Sequence, residues 1–82
     1  MKLRNMKNDI FETDSFQLAA FLLSKSCRLL RLDKINPRRA MFVFEESYER
    51  QELTTTFLSH EATVEPHCYF SAQKDLKQLL YQ

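Results

Sequence analysis

The chain has 82 residues, enough for one domain around a modest core and too few for a second. Hydrophobic residues make up 44% and charged residues 28%, a globular balance that excludes charge-driven disorder. No apolar run nears the roughly 18–20 residues that cross a bilayer as a helix, and the net charge of +1 excludes the strong basic excess of a dedicated nucleic-acid binder.

Residues 1 to 9 are polar and basic, with no helical or strand period, and are expected to form a frayed N-terminus ahead of a single domain over 10 to 82. They also lack the apolar centre of a secretory signal. The protein is therefore expected in the cytoplasm, with Cys27 and Cys68 expected to be reduced and buried rather than paired. A short strand follows at Ile10 to Thr13. Asp14 reads as an N-cap, with Gln17 three positions later to reach back, and SFQLAAFLLSK is then a strong helix. Phe16, Ala19, Ala20 and Leu23 share one face, while Leu18, Phe21 and Leu22 widen it enough to predict a helix enclosed by other elements.

Two apolar runs come next, Cys27 to Asp33 and Arg39 to Glu45, separated by Lys34-Ile35-Asn36-Pro37-Arg38. Asn36-Pro37 supplies a turn without glycine, since Asn bonds its own backbone and Pro fixes φ, so the pattern predicts a hairpin with a loop of about four or five residues. The first run breaks alternation at Leu29, Leu30 and Leu32. The second alternates cleanly, Ala40, Phe42 and Phe44 against Met41 and Val43, and being apolar on both faces it belongs in the sheet's centre, covered on both sides. Ser47 caps a helix over SYERQELTTTFLSH with an apolar stripe of Leu53, Phe57 and Leu58. Its three threonines oppose the helical backbone, so tertiary contacts must hold it. Glu61 to Glu65 connect, Pro66 is tolerated at a first helical position, and a last helix from about His67 to Tyr81 aligns Tyr69, Ala72, Leu76, Leu79 and Leu80.

The elements thus predict an α+β fold, a small antiparallel sheet in β-α-β-β-α-α order covered by helices, with Phe16, Leu23, Leu30, Phe42, Phe44, Phe57 and Leu76 as one contiguous core. Three stretches carry a resemblance: Thr13-Asp14 leading into an alanine-containing helix, the hairpin ending Phe42-Val43-Phe44-Glu45, and the closing Leu76-Lys77-Gln78-Leu79-Leu80-Tyr81. Together, over roughly residues 10 to 82, they resemble the family known as domain of unknown function 5659, found in small bacterial and phage-encoded proteins. The resemblance implies a mobile-element or host-takeover role by association and carries over no site residue. One departure is that the family tends to have a glycine where the first helix hands over to the hairpin. This chain has Lys25-Ser26 there, where glycine normally supplies the left-handed terminating residue.

The chain contains no glycine at all, which removes phosphate-cradling loops and nucleophile elbows from consideration. Cys27, His60, His67 and Cys68 lack metal-ligand spacing, and a Cys68 nucleophile has no visible oxyanion donor or orienting third residue. No catalytic residue, metal or cofactor is therefore expected. Glu45, Glu46, Glu49 and Glu52 are better explained by the dipole of the helix they begin than as paired acid and base.

Charge is unevenly placed. Residues 25 to 39 carry six Lys or Arg against one Asp, +5, and residues 40 to 65 carry six Glu against one Arg, −5. The candidate partner-binding residues are Arg28, Arg31, Lys34, Arg38 and Arg39 on the ribbon and Glu45, Glu46 and Glu49 beyond it. Solvated charge is the plain explanation. The functional expectation is a non-catalytic interaction module that self-associates, ribbon against acidic surface, or docks on a protein assembly. The alternative is a nucleic-acid-binding accessory whose basic hairpin makes about four to six phosphate contacts. A membrane partner is not expected.

Overall fold

The alternating and β-branched or aromatic segments form three strands, β1 (Ile10–Thr13), β2 (Leu29–Asn36) and β3 (Arg39–Glu45), and the 3.6-periodic segments form α1 (Phe16–Ser24), α2 (Tyr48–Leu58) and α3 (Pro66–Leu80). A computed structural model of the chain describes residues 9–81. The expectation of a frayed N-terminus lies outside these residues except at Asp9, whose carbonyl accepts from the Glu46 N–H at 2.8 Å and so extends the sheet contact.

The sheet order is β1-β3-β2, antiparallel throughout, which puts the doubly apolar β3 in the centre as its sequence demands. Strands β1 and β2 therefore run the same way with β3 between them, and α1 is the crossover that such a connection needs. Directly opposed residues share a face. Phe11, Phe44 and Leu29 lie on the helix side, as do Thr13, Phe42 and Leu32, while Glu12, Val43 and Arg31 line the other. Against the sheet sits a helical layer in which α1 packs mainly on α3 and also on α2. Ala19, Ala20 and Leu22 of α1 are fully buried, and they join Leu18, Phe21, Phe42, Phe44, Ala72 and Leu76 in one core. Two small residues on α1 let its neighbours approach closely. Phe21 meets Phe57 with ring centroids 5.5 Å apart, and Phe16 meets Phe42 edge-on at 6.4 Å, so aromatic contacts tie both α2 and the sheet to α1.

Six of the seven expected core residues belong to this cluster or pack against it. Leu30 does not; it is 41% exposed. Its pairing explains why: the register jumps between Leu29 and Arg31, so Leu30 is a bulged residue with no opposite number on β3. A second jump between Lys34 and Asn36 leaves Ile35 in the same position. That bulge also corrects the loop. Asn36 pairs with Arg39, so the connection is only Pro37-Arg38, closed by Asn36 Oδ1 accepting from the Arg38 N–H at 2.8 Å, and the expected longer loop is absorbed into the strand.

The helix ends bring further corrections. Ser15, not Asp14, caps α1, its Oγ accepting from the Leu18 N–H at 3.1 Å, while the Asp14 carboxylate stands 3.7 Å from Arg39. The hydroxyl wins because it sits one residue closer to the first helical turn. Ser47 caps α2 as expected and Glu65 caps α3 ahead of Pro66. Leu58 is 67% exposed and leaves the α2 stripe to Leu53 and Phe57. The threonines return their hydroxyls to the helix: Thr54, Thr55 and Thr56 donate to the carbonyls of Arg50, Gln51 and Glu52 at 2.9, 3.2 and 3.0 Å.

Candidate interaction surface

The two apolar runs with their flanking charges are placed by the hairpin, which spreads the predicted site residues along the sheet rather than gathering them. Strand β3 spans about 20 Å. Lys34, Arg38 and Arg39 are at its tip, and Glu45, Glu46 and Glu49 are at its far end. Arg31 lies midway. Arg28 does not belong to the basic pole: its carbonyl accepts from the Glu45 N–H at 2.9 Å, which sets it at the acidic end. Lys25 joins it there, lining a hollow of roughly 330 Å³ with Glu49 and Glu52. An antiparallel hairpin returns to where it began, so the start of the +5 segment meets the start of the −5 segment.

Much of the charge at the far end is already matched. Arg50, which is buried, donates from Nε and Nη2 to the two Glu46 carboxylate oxygens, both at 2.7 Å, and from Nη1 to Thr54 Oγ1 at 3.0 Å. Its guanidinium lies 3.8 Å from the centre of the Phe11 ring. Hydrogen bonds from Arg50 hold the Glu46 carboxyl below the usual glutamate range. Glu46 is thus structural, a clamp between the start of α2 and β1, and the exposed acids beside it are Glu45 and Glu49. Arg50 was not singled out by sequence reasoning; the signal was Glu46, Arg50 and Thr54 at successive spacings of four.

The tip is open. Lys34, Arg38 and Arg39 border a cleft of roughly 360 Å³ whose other wall is Leu80 and Tyr81 from the end of α3, so chain folding brings an 83% exposed aromatic ring beside three cations. Along β2, the bulged Leu30 and Ile35 expose apolar side chains, Ile35 at 57%. Arg31 and Asp33 pair along the strand at 3.0 Å with both side chains solvated.

The thiols are corrected too. Against the expectation of burial, Cys27 is only half-buried and Cys68 is exposed at the start of α3. Burial first, then Glu49, pushes the Cys27 thiol up, and a hydrogen bond with Glu65 does the same for Cys68, so neither is poised as a thiolate. Among the described residues no three His, Cys, Asp or Glu side chains gather to hold a metal, and no helix is long and apolar enough to cross a membrane.

A family model described as a domain of unknown function (DUF5659) matches residues 8–82. No curated protein and no solved structure matches the chain.

Proposed function

Because the chain belongs to the family described as a domain of unknown function (DUF5659), a description that assigns no chemistry, we propose on surface grounds that it is a non-catalytic, cytoplasmic interaction module that binds protein through the β2 side of its hairpin. The observation that carries this reading is the β2 edge that no strand pairs among the described residues, where Leu30 and Ile35 stand exposed beside Arg31 and Lys34. An edge strand offers unpaired backbone groups to another chain, and apolar side chains flanked by arginine are the composition of protein interfaces. Capture of a protein partner after nuclease treatment, abolished by Leu30→Lys with Ile35→Lys in a variant that melts like the wild type, supports the reading. Capture unchanged by that variant refutes this surface.

A second reading, a nucleic-acid-binding accessory, is favoured by the tip cleft, where Lys34, Arg38 and Arg39 meet Tyr81. Cations beside an exposed ring suit phosphate contact with base stacking. Such binding weakens steeply with salt and falls when Arg38 and Arg39 are both replaced by alanine, whereas protein capture through the β2 edge survives both changes.

A further inference from the structure

Among the described residues, strand β2 pairs with one strand, β3, and no strand pairs with its other edge. Resting on the interaction reading above, we propose that the occupant of this edge is a second copy of the chain, paired antiparallel along β2 about a two-fold axis at Leu32.

The register follows from face and charge. An axis perpendicular to the sheet keeps the helical layers of both copies on one side. Directly opposed residues then share a face, so the axis must pass through a residue rather than between two. The regular run of β2 between its bulges is Arg31 to Lys34, which leaves four possible centres. Centred on Arg31, Asp33 or Lys34, the pairing sets each of those charges against its own copy, which is destabilising. Centred on Leu32, it sets Arg31 against Asp33 twice, once on each side of the axis.

Both charged residues are on the right face for this. Arg31 opposes Val43 and Asp33 opposes Met41, so their side chains project from the sheet face away from the helices. Within one chain they already contact each other at 3.0 Å while remaining solvated, so exchanging partners across the axis neutralises each charge with no new desolvated group. On the other face half-buried Leu32 meets its own copy. The exposed bulge residues fall at the margins, Leu30 opposite Lys34 and Ile35 opposite Leu29. The same bulges and cations block the like-charged registers and end the contact after a few residues, so the edge is selective rather than open to any strand. Being isologous, the contact consumes both β2 edges and closes as a dimer. Its short length puts it below the size of standard stable interfaces, so the dimer is weak and concentration-dependent.

The test is sedimentation of the full chain over rising concentration for wild type, Arg31→Asp, Asp33→Arg and the double exchange of both, with melting temperatures to confirm that each is folded. Each single change turns two attractive cross-axis pairs into repulsive ones and lowers association by about tenfold or more, and the double exchange restores it. In the wild type alone, amide exchange within Arg31 to Asp33 slows as concentration rises, a readout that needs no variant to fold. A wild type that stays monomeric up to about 1 mM, or association that the double exchange leaves as weak as the singles, overturns the proposal. Either result leaves the interaction reading standing if partner capture is still lost with Leu30→Lys and Ile35→Lys; loss of both results removes the β2 surface altogether.

Discussion

The two strands of the hairpin have similar apolar content and opposite fates. In β3, Phe42, Val43 and Phe44 are all buried; in β2, Leu29, Leu30, Leu32 and Ile35 include no fully buried side chain. Composition does not separate them. Position does: β3 has a strand on each side and the helical layer over Phe42 and Phe44, while among the described residues β2 pairs with one strand and spends two of its four apolar residues at bulges. A central strand therefore carries stability, and an edge strand is free to carry recognition.

The sharpest way to break this contrast is to truncate one residue of each strand. Phe42→Ala removes a ring held in the core and against Phe16, and is expected to lower stability by about 3–5 kcal/mol. Leu30→Ala, at a solvated bulge, should change it by less than about 1 kcal/mol. Urea denaturation of both measures the gap. Comparable losses would mean that the edge carries as much of the core as the centre.

Two arginine–carboxylate pairs repeat the contrast in electrostatic form. Arg50 with Glu46 is shielded, bidentate and stacked on Phe11, whereas Arg31 with Asp33 is solvated. Arg50→Ala is expected to cost about 2–3 kcal/mol, since it strips the guanidinium from a carboxylate and a ring packed against it. Arg31→Ala should cost no more than about 0.5 kcal/mol. The same denaturation series reads both.

Acid sharpens the comparison further. The folded pKa of Glu46 is depressed by Arg50, so the folded state binds its proton less readily than the unfolded chain does. Its contribution is fully present above the ordinary glutamate range and is lost as pH falls through the lowered folded value. Stability followed from about pH 6 to pH 3 should therefore decline less in Glu46→Gln than in the wild type, because the variant has already lost that contribution at neutral pH.

How much of this was legible in the sequence depended on the range of the interaction that decides it. Element order and the central place of β3 were readable, because alternation and helical period are local. The Leu29-Leu30 adjacency was readable as a break in alternation, but whether a break becomes a bulge, a slip or a strand end depends on the partner strand. Ile35 reads as loop in the sequence for the same reason. Of the candidate site, the basic tip was legible and its aromatic wall was not, because Tyr81 reaches Arg38 and Arg39 only through the packing of α3. The ±5 segregation was a property of the chain that folding partly undid, by returning Lys25 and Arg28 to the acidic end and by burying Arg50 against a ring from β1.

The smallest effect concerns how the chain enters β2. Without glycine, α1 still ends in a left-handed turn: Ser26 has φ 71°, the Cys27 N–H donates to the Leu22 carbonyl at 3.0 Å and the Ser26 N–H to that of Leu23 at 3.1 Å. His60 does the same after α2 at φ 65°, with Glu61 donating to Thr56 and His60 to Phe57. Left-handed backbone costs an ordinary residue roughly 1–2 kcal/mol, and glycine would relieve it while adding about 0.5–1 kcal/mol of unfolded-state entropy. Ser26→Gly and His60→Gly should each therefore stabilise by about 0.5–1 kcal/mol, visible as a higher urea midpoint at unchanged slope. Ser26→Val should destabilise, because a β-branched side chain tolerates that φ least. If strain at Ser26 is local, the glycine gain leaves amide exchange in β2 and β3 changed alike. If the turn also sets the register in which Leu30 bulges, exchange changes in β2 alone, and the edge strand's exposure is then traced to the helix that delivers it rather than to its own residues.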